Sequence, residues 1–442
     1  MFELEDLMRL QARIDKVLNN KFCTYKVDRF IDVRSIEPLS CVEAIFKKIL
    51  YLTFYLKPDI CAGSFRNSPL LEELAKQAKE FDVSIDVFTT PPQRYSTFSE
   101  AYLEIEENDN VRIERIVIPK HQSGFKDQIK SFYKYYREVL KRIEGKEYDL
   151  VFASSSRLFT AYLGYKIAKK RKIPLYLDVR DIFIDTINDV IQNPFVKLGV
   201  LPVLKNIEKK TFAYATHINL ISAGFQSYFE KYKNANYTYF TNGIDDVFIE
   251  ASKQSFEVSN EERKVKTIVY AGNIGEGQGL HKVVPQAAKL LEGDFEFHII
   301  GDGGAKKVLE AAIKENDVKN VQIKNPVNRQ SLIEEYLKAD YLFIHLNDYE
   351  AFKKVLPSKV FELGVFNKII IAGVAGYANE FFKTNLPSTI LFSPGNYTEM
   401  VRLLKEKKDK QPEMGKREAF IENFNRTKIN QGLANSILSY IS

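Results

Sequence analysis

Two clusters in the C-terminal half combine residue types and spacing suited to holding an anion. The first is Tyr270-Ala271-Gly272-Asn273-Ile274-Gly275-Glu276-Gly277-Gln278-Gly279-Leu280, which follows a strand-like apolar run and leads into a helical pattern near Leu280. Its glycines let the backbone take positive φ and approach a ligand closely, while a helix N-terminus behind them offers N–H groups to a phosphate. The spacing is not that of the dinucleotide fingerprint, and such a turn can equally be a tight connection. The second cluster is Leu356-Pro357-Ser358-Lys359-Val360-Phe361-Glu362-Leu363. Pro357 and Ser358 read as a helix start with Ser358 as N-cap, so the Ser358 hydroxyl and the Lys359 ammonium share one end. Glu362, one turn on, would reach neutral hydroxyls, the structural alternative being a capped helix with a solvated Lys359 and Glu362. A helix N-terminus favours an anion by about 0.3 to 2 kcal/mol, so two such ends and a lysine would offset a diphosphate without a metal ion.

These clusters need a scaffold, and the rest of the chain supplies its pattern: short apolar runs alternate with amphipathic helical stretches, as in parallel sheets with crossover helices. Strands are expected at 49–55, 84–88, 111–118, 149–153, 174–179, 217–221 and 238–241. A polar stretch from Ala251 to Val265 interrupts the alternation, which resumes at 267–271, 295–300, 321–323, 341–345, 369–372 and 390–392. The expected architecture is α/β, with two Rossmann-like doubly wound domains facing a cleft. Ligands of such sheets bind at the carboxyl ends of strands, so the active site should lie between the domains. The domains are placed at 1–250, including an extension of 1–47 without a functional reading, at 251–412, and at 413–442 for a last helix. Residues 129–143 put Ile129, Phe132, Tyr133, Tyr136, Leu140 and Ile143 on one helical face beside Lys130, Lys134, Arg137 and Lys141. That pattern suits either a helix packed on the sheet or a membrane-surface helix.

Bulk properties exclude several classes. The chain has 442 residues, 45% hydrophobic and 28% charged, and its apolar runs fall short of the length that spans a bilayer. The acidic, helical start is unlike a signal peptide, which points to the cytoplasm. Cys23, Cys41 and Cys61 lack metal-site or disulfide-framework spacing. A formal charge of +6 is compatible with weak attraction to anionic surfaces and too small to mark a nucleic-acid binder.

The order of glycine-rich turn, Gly301-Asp302-Gly303 and PSKVFE resembles the donor half of retaining GT-B glycosyltransferases of family four. GNIGEGQGL with PSKVFE is similar to the branch that includes amino-sugar transferases of bacterial surface-polysaccharide synthesis, such as the fucosaminyltransferases. Asp178-Val179-Arg180-Asp181, Asn242-Gly243-Ile244-Asp245 and Phe420 to Ile429 match the same branch. The resemblance runs from about Lys47 to the C-terminus. It implies a UDP-sugar donor carrying a hexose or N-acetylhexosamine, no metal or other cofactor, and a last helix crossing back to the first domain. Gly272, Asn273, Gly275, Gln278 and Gly279 would contact the donor diphosphate, with Ser358 and Lys359 near the same charge. Glu362 would bind the ribose, the uridine would sit by Val327, and Gly63 would close over the diphosphate. Asp181 and Arg180 would line the acceptor side, where a glycan or a polyprenyl-diphosphate-linked sugar is implied, with the protein peripheral at the inner membrane face. An Arg/Asp pair at a strand end can equally be a structural salt bridge. The chain departs from the family at Gln278, where many members have lysine, and at Lys354, where members with a paired-glutamate motif have the first glutamate. It also lacks the histidine that many place after a middle strand, here Ala153-Ser154-Ser155-Ser156-Arg157, so no general base is assigned. A sugar-nucleotide 2-epimerase of the same fold and a non-catalytic transferase-like subunit are the alternatives.

Overall fold

Strands buried on both faces read as continuous apolar runs, and Ile49-Leu50-Tyr51-Leu52 is such a run, each residue fully buried. The computed structural model describes residues 47–59, 61–92, 101–119, 125–155, 158–185, 194–254, 264–407 and 412–441. The first sheet contains β1 (Lys47–Leu52), β2 (Val83–Thr89), β3 (Ile105–Asn108), β4 (Val111–Arg115), β5 (Leu150–Ser155), β6 (Leu175–Val179), β7 (His217–Leu220) and β8 (Asn236–Thr238). Their order is β3-β4-β2-β1-β5-β6-β7-β8, parallel throughout except for the antiparallel β3–β4 pair. The second sheet contains β9 (Lys266–Asn273), β10 (Phe295–Asp302), β11 (Val321–Lys324), β12 (Tyr341–His345), β13 (Ile369–Gly373) and β14 (Ile390–Phe392). Its order is β11-β10-β9-β12-β13-β14, all parallel. Each sheet therefore reverses its winding once, between β1 and β5 in the first and between β9 and β12 in the second. Those switch points are where a doubly wound sheet opens a crevice.

The last helix, Arg426–Leu438, leaves the second domain and packs on the first. Leu433, Ala434, Ile437 and Leu438 join Ile49, Tyr51, Leu70 and Leu74 in one buried cluster. Tyr176 Oη lies 3.0 Å from Ser436 Oγ, and His217 Nδ1 lies 3.0 Å from Tyr440 Oη. At its start, Ile244 N–H donates to Phe424 O and Arg426 N–H to Ile244 O. Gly243 has φ +69°, and a Cβ there would lie 2.7 Å from Arg426 Cα, so the Asn242–Asp245 and Phe420–Ile429 motifs interlock where the chain passes between domains.

The helix expected at 129–143 runs from Phe125 to Arg142, with a different face inward. Phe132, Tyr135, Val139 and Ile143 are buried, whereas Tyr133 and Leu140 are exposed. The buried spacing of three to four residues follows the helical period, and the expected face had mixed two neighbouring stripes. Among the described residues no helix is long and apolar enough to cross a membrane. The readings of 1–46, of Ser156 and Arg157, and of the Ile129 side chain fall outside the described residues.

Candidate functional site

The glycine-rich turn leaves the end of β9 at the switch point of the second sheet, and internal hydrogen bonds shape it. Tyr270 Oη donates to Asn273 O at 2.7 Å, and Asn273 Nδ2 donates to Gln278 Oε1 at 2.8 Å. Gly279 has φ +59°, with its N–H turned back to Gly275 O and Glu276 O. A Cβ at Gly279 would lie 3.2 Å from Asn347 Cγ, and Asn347 Nδ2 in turn donates to Glu276 O. The N–H of Gly279 is thus used within the turn, and the helical pattern beyond begins as a single 3-10 turn, Leu280–Lys282.

His345, at the end of β12 and 1% exposed, pins this turn. Its Nε2 accepts from Gly395 N–H at 3.0 Å, so its Nδ1–H donates to Gln278 O at 2.6 Å. Burial pulls its pKa down to about 4, keeping the ring neutral and the tautomer fixed. Sequence reading passed over both His345 and Asn347, because a histidine ending an apolar strand carries no local sign of the loops it joins.

The PSKVFE segment comes to the same place. A Cβ at Gly272 would lie 3.8 Å from Lys359 Cε, so the lysine stem runs against the turn. Lys359 Nζ donates to Glu362 Oε2 at 2.6 Å, and both side chains are partly exposed. Ser358 is not the expected N-cap: it is already helical, at φ −58° and ψ −24°, and makes no side-chain cap hydrogen bond. The helix it opens, Lys359–Leu363, is one turn long, so its dipole adds little and the anion-binding capacity rests on the Lys359 ammonium. Val327 is 40% exposed, in the loop before the helix Arg329–Lys338, which Asn328 caps by accepting from Ser331 N–H.

In the first domain, Gly63 lies in the opening turn of the helix Ala62–Lys79 rather than in the loop before it, and a Cβ there would lie 2.7 Å from Tyr55 Cδ2. Close packing against that ring requires glycine. In the Asp178–Asp181 motif the four residues do different work. Asp178, fully buried, receives Arg66 Nε at 2.8 Å and Nη2 at 2.7 Å, together with Asn219 Nδ2 at 2.7 Å. The same Arg66 donates to the carbonyls of Phe240 and Thr241, so the ion pair ties β6, the Ala62–Lys79 helix and the segment after β8 together. The structural salt bridge is therefore made by Asp178 with Arg66, and Arg180 and Asp181 stand beyond it at the strand end. Asp181 lines a small pocket with Ser155, Leu158, Phe183, Glu208 and Phe229. Burial raises the pKa of Glu208, which accepts from Tyr228 and Tyr232.

The two domains touch across the cleft through Lys354. Its Nζ donates to Asp185 Oδ2 at 2.7 Å, and its carbonyl accepts from Ser222 Oγ at 2.8 Å. Glu350, the nearest upstream acid, points instead to Lys353 and is highly exposed. Elsewhere along the cleft, Arg329 pairs with Asp245 at 2.9 Å and lies over the ring of Phe65, 5.2 Å from its centroid. Among the described residues no group of three or more His, Cys, Asp or Glu side chains is arranged to hold a metal ion.

Two facing Rossmann-like domains with a C-terminal helix returning to the first constitute the GT-B fold. Residues 251–427 match the family model described as glycosyl transferases group 1. The chain is 30% identical over 117 residues to WcaI of Escherichia coli (strain K12), named for glycosyl transfer in colanic acid biosynthesis. That match spans 26% of this chain and only 28% of WcaI. Among solved structures, Anabaena Alr3699/HepE in complex with UDP and glucose is similar at TM-score 0.59 and 16% identity, covering 89% of this chain and all of that one. The lipopolysaccharide outer core galactosyltransferase WaaB, in its apo form, is similar at TM-score 0.61 and 14% identity, covering 89% and 99%. At these identities the structures establish the fold.

Proposed function

We propose that this protein is a glycosyltransferase that moves a sugar from a UDP-sugar, without a metal ion and with retention of configuration, to a glycan or polyprenyl-diphosphate-linked acceptor of surface-polysaccharide synthesis. The observation that carries the reading is the convergence of the Gly272–Gly279 turn with Lys359 and Glu362 at the switch point of the second sheet, facing the first domain. Lys359 keeps two ammonium hydrogens beyond the one given to Glu362, enough to meet phosphate oxygens while Glu362 accepts from ribose hydroxyls. The match of this half to group 1 glycosyl transferases and the UDP bound by HepE favour a uridine donor. The transferred sugar would be a hexose or N-acetylhexosamine.

In this reading the donor bond largely breaks first, and a phosphate oxygen takes the proton of the incoming hydroxyl on the same face. The protein then contributes charge stabilisation of the leaving diphosphate and positioning of the acceptor. The helix Phe125–Arg142 supports a lipid-linked acceptor, because Tyr133 and Leu140 are exposed among the equally exposed Lys130, Lys134, Arg137 and Lys141. Such a face suits peripheral contact with an anionic membrane.

Thermal denaturation against UDP, GDP, ADP and their sugars, with and without EDTA, tests the donor site. UDP at 100 times its Kd should add about 2.7 kcal/mol of stability. The gain should survive EDTA and be lost in Lys359→Ala and Glu362→Ala. Absence of stabilisation by any nucleotide would overturn the reading and favour a non-catalytic subunit.

A further inference from the structure

Arg180 sits at the carboxyl end of β6, its backbone N–H donating to Ser155 O at the end of β5. The residue is partly buried, and among the described residues its Nε, shielded from solvent, meets no acceptor. Asp178 is within electrostatic reach, but both of its oxygens are taken by Arg66, with Asn219 and Ser154 adding to them. Asp59 and Asp181, the carboxylates flanking this mouth in sequence, are themselves engaged, and the charge that most favours the guanidinium is that of Asp178. Cys61, at the head of the Ala62–Lys79 helix, is also within reach, yet burial pushes its thiol up to about 11 and leaves it neutral. Burial accordingly pulls the guanidinium below its ordinary pKa, with Asp178 offsetting only part of the effect. A desolvated guanidinium without a hydrogen-bonded counter-charge is costly in a folded protein and is met by an anion when one arrives.

The facing domain says which anion. In the glycine-rich turn the side chains of Asn273 and Gln278 form a neutral amide pair and Lys282 is paired with Glu276, which leaves Lys359, itself shared with Glu362, as the cation at the start of the turn. A substrate diphosphate carries more charge than one shared lysine balances. We propose that Arg180 binds a phosphate oxygen of a substrate diphosphate at the mouth formed by the ends of β5 and β6 and the head of the Ala62–Lys79 helix. Its planar fork fits two phosphate oxygens, which a lysine would not reproduce. The diphosphate is that of the donor or that of a lipid-linked acceptor; the choice rests on the transferase reading, whereas the anion site does not.

The test uses the full chain, Arg180→Met and Arg180→Lys, with UDP, uridine, inorganic pyrophosphate and geranyl diphosphate as probes. Removing a partly buried cation whose Nε has no acceptor among the described residues should leave the Tm of ligand-free Arg180→Met equal to or above that of the wild type; a Tm lower by several degrees would show a structural role and overturn the proposal. One lost charge-assisted contact should weaken binding about 10- to 100-fold. A loss confined to UDP, with uridine unchanged, assigns the donor diphosphate; a loss confined to geranyl diphosphate assigns the acceptor. Arg180→Lys should recover only part of the affinity. Unchanged affinities for UDP, pyrophosphate and geranyl diphosphate in Arg180→Met would refute the anchor while leaving the donor reading intact. Wild-type binding of pyrophosphate but not UDP, lost in Arg180→Met, would sustain the anchor and defeat the donor reading.

Discussion

Replacing Asp178 with Asn removes one charge from the middle of the first domain and keeps the side-chain shape. The carboxylate is fully buried and receives two bonds from Arg66, which also holds the carbonyls of Phe240 and Thr241. Breaking one partner of a buried pair costs about 3 to 5 kcal/mol, because the other charge is left uncompensated. The cost should lie toward the upper end here, since Arg180 stands in the same field and loses its only strong electrostatic offset. The first sheet spans Lys47 to Thr238, and for a domain of about 200 residues each kcal/mol shifts Tm by roughly 2 to 4 °C. Calorimetry at pH 7 should therefore show a first-domain transition lowered by roughly 6 to 20 °C. Burial alone would raise the Asp178 carboxyl, but Arg66 more than reverses this and holds it below the ordinary carboxylate range. With the folded pKa depressed, the pair's contribution is complete above the unfolded value of about 4 and is lost as pH falls through the folded value. The gap between wild type and Asp178→Asn should thus narrow below pH 4. A drop under 2 °C at pH 7, or a gap that does not change on acidification, would refute this reasoning.

Three further outcomes are expected. Gly279→Ala places a side chain at φ +59° and 3.2 Å from Asn347, so the second domain should lose about 1 to 2 kcal/mol and UDP stabilisation should weaken, both measurable in one thermal titration. His345 has a folded pKa of about 4, below the ordinary histidine value of about 6.5, so the unfolded chain binds the extra proton between them. Second-domain stability should accordingly fall by about 2 to 4 kcal/mol as pH drops through that window, and in His345→Gln this slope should largely vanish. Reversing Lys130, Lys134 and Lys141 to Glu should abolish sedimentation with vesicles of anionic lipid and leave UDP binding unchanged; unaltered sedimentation would remove the membrane part of the proposal.

What the sequence disclosed follows from what burial does to a strand. Tyr341–His345 and Ile390–Phe392 are covered on both faces, so their ends are marked by the change from apolar to polar residues and were legible to the residue. β3 was not, because Ile105-Glu106-Glu107-Asn108 is a mostly exposed antiparallel edge strand without an apolar signature. The glycine turn and the Lys359–Glu362 pair were visible as motifs because backbone freedom and helical spacing are local properties. Their meeting was implied by the family resemblance, and it is seen in the approach of Lys359 to Gly272. The bond between Arg66 and Asp178 joins residues 112 positions apart, and no local pattern distinguishes that aspartate from the exposed-looking Arg180 two residues on.

The same distance effect hid the contacts across the cleft, and their strength bears on how the protein would work. Lys354–Asp185 is about a third exposed on each side and Arg329 over Phe65 is partly exposed, so each is worth about 1 kcal/mol or less. By contrast, the junction at Gly243 and Arg426 is formed by backbone hydrogen bonds and a close approach that only glycine permits. The charged clasps at the rim are weak, but Gly224 also packs closely on the Lys354 carbonyl and Tyr377, and Val355 joins the first-domain core, so a cleft opening about its base would have to part this packing as well. The position at which the resemblance places the first glutamate of a paired motif is here part of the rim clasp, through the Lys354 ammonium and carbonyl alike. Under the proposed function, a substrate that engaged Lys354 would have to displace Asp185, which would couple its arrival to the separation of the domains.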